Sequence, residues 1–308
     1  MKRLLFSILA LWLCHLPGKA QQDPMPVEIF CGAELGYADN NWLRLFDVLI
    51  DLTPGIKWNM GNDWQVAAQL SLPIVCEGWT FEDPRYHMMR LSTAAVSKQL
   101  HFDEARQHFK FSAGLFGNDR YGFDVKWMMP VNDWLLVQAQ AGLTSYWIMG
   151  GKFDGEGDTR FESKLTPTFM AGANVFLKSL NTELRGSGGR FINKDYGLQA
   201  DVVSHFRYCS VNLFYQLRVG KRISSLVDDY SDRSNGGFNV IVMLPPYKKS
   251  QRVISGNVEF RPASNFRLTN NVRSDGRSMI RYNTDPEENE RELPVDVKWG
   301  ISANSLTE

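Results

Sequence analysis

The sequence predicts an all-β fold, an antiparallel transmembrane β-barrel of about 12–14 strands, with an even number expected. Three observations predict it. Apolar and polar residues alternate with period two through most of the chain. Clusters of turn-forming residues separate the alternating runs. The N-terminus has the form of an export signal. The mean hydropathy is only −0.28, and past the N-terminus no apolar run approaches the ~20 residues of a spanning helix. Barrel strands reconcile these facts. Each meets lipid on one face only, so about half its residues are apolar and the average looks hydrophilic.

Lys2 and Arg3 precede an apolar run from Leu4 to Leu16, and Pro17-Gly18-Lys19-Ala20 ends it with small residues before a cut. Charged start, short apolar middle and small exit make residues 1–20 a signal peptide, leaving 21–308 as a single domain. Cys14 lacks the small residues before it that a lipidation signal wants. The precursor has 34 basic and 34 acidic residues. Cleavage removes Lys2, Arg3 and Lys19, so the mature chain is acidic by those three charges. No basic excess exists to neutralise phosphates, which excludes nucleic acid as a partner. The expected location is the bacterial outer membrane, reached by secretion across the inner one. Cys31, Cys76 and Cys209 are too sparse for a disulfide framework, and none lies in a CxxC pair for zinc. A Cys31–Cys76 bridge stays open.

Five runs carry the strand signal. Val27 to Tyr37 places Val27, Ile29, Cys31, Ala33 and Leu35 on one face. Trp64 to Ile74, Tyr121 to Met129, Tyr196 to Phe206 and Cys209 to Val219 alternate in the same way. They are longer than the ~5–6 residues usual in globular strands and match the ~9–11 of a tilted spanning strand. Turns are expected at Gly61-Asn62-Asp63, Gly117-Asn118-Asp119, Asn132-Asp133 and Asn235-Gly236-Gly237. Charged loops are expected at 150–158, 224–235 and 283–292, facing outward, with the short turns facing the periplasm. Gly186-Ser187-Gly188-Gly189-Arg190 lacks the Lys-Ser/Thr of a phosphate loop and reads as a strand kink or bend.

An internal similarity adds a second signal. Lys57-Trp58-Asn59-Met60-Gly61-Asn62-Asp63-Trp64 resembles the stretch from Lys126 through Trp127 to Trp134. Phe260 to Phe266 is a looser third copy. In each, an aromatic ends one strand and another opens the next. Trp58, Trp64, Trp127 and Trp134 are therefore expected as a membrane-interface girdle, where amphipathic rings sit at headgroup level. Ordinary cross-strand aromatic pairing is the alternative.

No catalytic constellation emerges. His101 and His108 are seven apart, which is no recognisable ligand spacing. Ser204 and His205 are adjacent on a strand, so their side chains point to opposite faces. Asp154, Glu156 and Asp158 lack the closing Glu of a calcium loop. No metal, cofactor or catalytic residue is expected.

Two stretches and a downstream strand carry a family resemblance. The first runs from Phe111-Ser112-Ala113-Gly114-Leu115-Phe116 through Tyr121-Gly122-Phe123-Asp124 to Trp127-Met128-Met129-Pro130. The second is Gly189-Arg190-Phe191-Ile192-Asn193-Lys194-Asp195-Tyr196-Gly197, and the strand is Gly236-Gly237-Phe238 to Leu244-Pro245. In order and spacing these resemble the YjbH-type outer-membrane proteins linked to exopolysaccharide production. The resemblance spans about Phe109 to Pro246 and rests on Gly114, Leu115, Phe116, Gly122, Pro130, Gly189, Arg190, Asp195, Gly197, Gly237 and Pro245. It implies a non-enzymatic barrel involved in exopolysaccharide production or export. The implied partners are outer-membrane lipid, the polysaccharide and its synthesis or export machinery. A generic porin, a lipid-modifying barrel enzyme and a soluble periplasmic β-sandwich are the alternative readings.

Overall fold

Alternating side chains leave the backbone extended, and nearly every alternating run becomes a strand. The structure, a computed structural model, describes residues 27–38, 47–78, 81–82, 84–102, 105–117, 119–152, 155, 157–191, 196–206, 209–219, 234–243, 252–253, 258–260 and 265–270. The segment 1–20, Asp154, Glu156, Asp195, Pro245, residues 283–292 and most of 224–235 lie outside the described residues. The strands are β1 (Val27–Ala38), β2 (Asp47–Gly61), β3 (Trp64–Glu77), β4 (Met89–Phe102), β5 (Gln107–Phe116), β6 (Arg120–Pro130), β7 (Leu135–Gly151) and β8 (Gly157–Phe161). They continue as β9 (Thr166–Leu177), β10 (Thr182–Arg190), β11 (Tyr196–His205), β12 (Cys209–Val219), β13 (Ser234–Met243), β14 (Arg252–Val253), β15 (Val258–Phe260) and β16 (Asn265–Asn270). No α-helix occurs among the described residues.

Thirteen of these strands make one large antiparallel sheet. From β2 to β7 each strand pairs with the next; β7 pairs with β9, and the order continues through β10, β11, β12 and β13 to β16. Strand β1 pairs with β2 antiparallel over its whole length, from Val27↔Trp58 to Ala38↔Asp47. Its other edge takes β15 and then β16, both parallel: Val27↔Val258 to Ile29↔Phe260, then Ala33↔Phe266 to Tyr37↔Asn270. Among the described residues the count is odd and not the even number expected, with β1 and β16 running in the same direction. The pairings also correct the third copy of the repeat. Phe260 and Phe266 sit on strands that both pair with β1 and not with each other, so they flank no hairpin. Asn235-Gly236-Gly237 is not a turn either. It lies in β13, with Gly236 opposite Tyr215 and the tyrosine ring packed over the glycine.

The two faces of the sheet differ in an unusual sense. On the buried face, along β3 to β12, are Gln65, Gln69, Ser71, Thr93, Ser97, Ser112, Asp124, Asn174, Glu183, Gln199, Asp201 and Gln216. On the exposed face are Ile56, Leu70, Ile74, Val96, Phe123, Leu143, Phe169, Leu184, Leu198, Val202, Leu213 and Leu217. Period two fixes the separation, since a residue on one face forces its neighbours onto the other.

The ends of the sheet differ too. Short connections close β2–β3 at Asn62-Asp63, β6–β7 at 131–134 and β9–β10 at 178–181, and β11 meets β12 at the same end of the antiparallel array, where His205 pairs with Ser210. Asn62 and Asp63 have φ of 51° and 62°, the two positive values that a type I′ hairpin requires. At the opposite end, β4 and β7 outreach the hairpin of β5 and β6. They pair with each other above its turn, Met89↔Gly151 and Arg90↔Gly150. Trp147 seals this arch, donating its indole N–H to the Arg120 carbonyl at 2.6 Å. Of the expected loop at 150–158, Gly150 and Gly151 pair with Asp158 and Gly157 across β7 and β8 and are strand. A small apolar cluster of Leu49, Phe81 and Tyr86, with Cys76 against it, packs the connection from β3 to β4.

Candidate functional site

The chemistry of the chain is concentrated on the buried polar face. Its most buried charged group is Glu183 on β10. Arg185, two residues on and therefore on the same face, donates to Glu183 Oε2 at 2.7 Å. Asn174 on β9 donates to Oε1 at 2.9 Å, and Gln138 on β7 donates to Asn174 Oδ1 at 2.9 Å. His205 on β11 brings Nε2 to 3.6 Å from Glu183 Oε2, and its Nδ1 lies 3.3 Å from Ser210 Oγ on β12. Cross-strand register aligns these groups into one network over five strands. Such a network is favourable only when its members find partners, because an unpaired buried charge is costly.

A second network lies on β11 and β12. Gln199 and Asn212 donate their amide N–H groups to Asp201 Oδ1, at 2.7 and 3.4 Å. A third joins β2, β3 and β4. Ser71 donates to Asp51 Oδ2 at 2.5 Å, and Arg90 lies 3.6 Å from the same oxygen.

The residues expected at the interface girdle all sit at the short-turn end. Trp58, Trp64 and Trp127 share the exposed-face phase of their strands, and Trp134 lies in the β6–β7 turn. Trp58 and Trp134 are exposed, whereas Trp64 is covered by Lys98, whose Nζ lies 5.1 Å from the ring centroid.

The motif residues behind the family resemblance occupy structural positions. Gly114 and Gly122 face each other across β5 and β6, with φ of 140° and 142°. A Cβ at either would strike a neighbouring backbone carbonyl, of Ala94 or of Leu143, so both positions require glycine. Leu115 is half-buried, Phe116 is buried against Ala95, and Pro130 ends β6. Gly189 pairs with Gly197, and Arg190 with Tyr196. The run Gly186–Arg190 sits in a ladder without register shift on both sides. Gly237 pairs with Phe214.

Two arrangements escaped the sequence. His101 and His108 stand opposite each other at the ends of β4 and β5, with Nδ1 atoms 2.8 Å apart. Their equal distance from the centre of the intervening loop was the available signal, since a symmetric hairpin brings such residues into register. The partner of His205 is Ser210 and not Ser204. Ser204 lies on the opposite face, against the Thr182 hydroxyl at 3.2 Å. Hydroxyl, imidazole and carboxylate thus stand in the order used for nucleophilic catalysis. Here Arg185 and Asn174 already hold the carboxylate. None of Cys31, Cys76 and Cys209 forms a disulfide. Among the described residues no group of three or more His, Cys, Asp and Glu is arranged to hold a metal ion. No family model, curated protein or solved structure matches the chain.

Proposed function

We propose that the sheet closes into a barrel spanning the bacterial outer membrane, and that the protein acts there, without catalysis, in exopolysaccharide production or export. The observation that carries this reading is the inverted polarity of the two faces. Burying a Leu, Val or Phe side chain from water is worth about 1.5–3 kcal/mol. A sheet in water would gain by burying Leu198, Leu213 and Phe169, yet these are exposed while Glu183, Asp201 and Gln69 are buried. Lipid removes that conflict, because an apolar outer face is then matched to its surroundings.

Closure is supported by the two-sided pairing of β1 with β2 and β16. A sheet in a bilayer has to satisfy every backbone group internally, which an open edge does not. With thirteen strands, one neighbouring pair has to be parallel, and β1–β16 is such a pair. Trp58 and Trp134, exposed at one end, suit a headgroup girdle. The polysaccharide role is supported by the resemblance carried by Gly114, Gly122, Gly189 and Gly197, and by a buried face rich in amides. The engagement of the Glu183 carboxylate by Arg185 and Asn174 favours the non-enzymatic reading.

Fractionation with heat-modifiable gel mobility tests the barrel. The folded chain is expected to stay in the carbonate-washed membrane and to migrate differently before and after boiling. Recovery as a carbonate-soluble protein refutes the membrane assignment. Surface polysaccharide in a strain lacking the gene tests the role. Reduced or altered polymer is expected, and an unchanged amount and composition leaves a general porin.

A further inference from the structure

We infer that Gln199, Asp201, Asn212, Phe214 and Gln216 form a saccharide-binding subsite on the buried face of β11 and β12. The inference rests on the proposed role in handling polysaccharide and gives it a place on the chain.

Gln199 and Gln216 stand opposite each other in register, as do Asp201 and Phe214 one rung away. Asn212 and Phe214 follow on β12 in the same phase as the buried Ser210 and Gln216. The five side chains therefore share one face at mid-strand, away from the β11–β12 turn. Gln199 is 8% exposed, Asp201 5% and Gln216 6%, so all three are more than nine-tenths buried.

Their hydrogen bonding is lopsided. Gln199 and Asn212 each spend an amide N–H on the same atom, Asp201 Oδ1. That choice fixes both amide orientations, because an ionised carboxylate only accepts. It leaves four acceptors without a donor: Gln199 Oε1, Asp201 Oδ2, Asn212 Oδ1 and Gln216 Oε1. Buried acceptors are costly to leave unmet, and four on two adjacent strands call for a common explanation.

The missing partner supplies several donors at once. Sugar hydroxyls do so, spaced around a ring and each able to donate. Phe214 stands opposite Asp201 and between Asn212 and Gln216 in the same phase of β12, and it offers the remaining element, a flat apolar surface for the C–H face of a pyranose. Amphipathic recognition of this kind needs a ring flanked by planar polar groups. A hard cation is the competing occupant of an oxygen cluster. It is disfavoured here, because the site holds a single carboxylate and cation affinity follows ligand charge.

The test is calorimetric titration of the full chain in detergent micelles with cellohexaose, maltohexaose and laminarihexaose. At least one is expected to bind. Phe214→Ala and Asp201→Asn are each expected to weaken it tenfold or more, and Phe214→Trp to restore binding. Lys178→Gln, at the exposed short-turn end, is expected to change nothing. Heat-modifiable mobility of every variant checks folding; if Asp201→Asn does not fold, the Phe214 pair decides. The inference is overturned if none of the three sugars binds, or if Phe214→Ala binds like the parent chain. It is also overturned if calcium binds, Asp201→Asn abolishes that binding, and sugar binding is unaffected. Failure of the barrel reading looks different: the chain then lacks heat-modifiable mobility, whatever it binds.

Discussion

Replacing Leu213 by Arg separates lipid from water as the solvent of the exposed face. Leu213 is the fifth residue of the eleven-residue β12, near mid-height, and is 55% exposed. Its cross-strand neighbours are Val202 and Phe238. In water, an exposed position of this kind tolerates Arg within about 0.5 kcal/mol. At the midplane of a bilayer, Arg costs about 2–4 kcal/mol, falling to about 0–1 near the interface. The larger range corresponds to roughly a 30- to 900-fold loss in the folding equilibrium. Val131, 47% exposed in the β6–β7 turn, is the comparison, because it sits at the end of the sheet. Reversible urea unfolding in phosphatidylcholine vesicles, read by tryptophan fluorescence, measures both. Leu213→Arg is expected to lower stability by about 2–4 kcal/mol and Val131→Arg by no more than about 1. Equal and small losses at the two positions would refute the lipid-facing assignment.

Two further outcomes probe the polar interior. Glu183→Gln takes the carboxylate away from Arg185, whose side chain is 25% exposed, so the loss is expected to stay below the about 3–5 kcal/mol typical of breaking a fully buried pair. The same urea titration measures it, and adding Arg185→Met is expected to recover most of the loss; an additive double variant contradicts the pairing. A fluorophosphonate probe is expected to leave Ser204 and Ser210 unlabelled in the folded chain, read by mass spectrometry of the peptides. Stoichiometric labelling of Ser210, lost with His205→Ala, would convert the Ser210–His205–Glu183 array into a nucleophilic site.

Alternation is a local property, and it is legible from the chain alone. The five runs read in the sequence correspond to β1, β3, β6, β11 and β12, and the Gly61–Asp63 and Asn132-Asp133 turns fall where their residues place them. The phase of each strand follows as well, so Leu198 and Gln199 had to lie on opposite faces. What alternation does not contain is which face is buried, since period two is the same either way up. The tertiary structure decided that the polar face is the buried one. It also decided register, which depends on partners far apart in sequence. Hence Asn235-Gly236-Gly237 is strand because Tyr215 lies across it, and His101 meets His108 through a hairpin. His205 finds Ser210 and Glu183 on two other strands for the same reason. The sequence by itself determined the five strands it marked, two of the expected turns and the two faces of each strand. Only the tertiary structure decided that β1 pairs with both β2 and β16 and that the described strands of the antiparallel sheet are odd in number, because edges meet through long-range hydrogen bonds that no local pattern encodes.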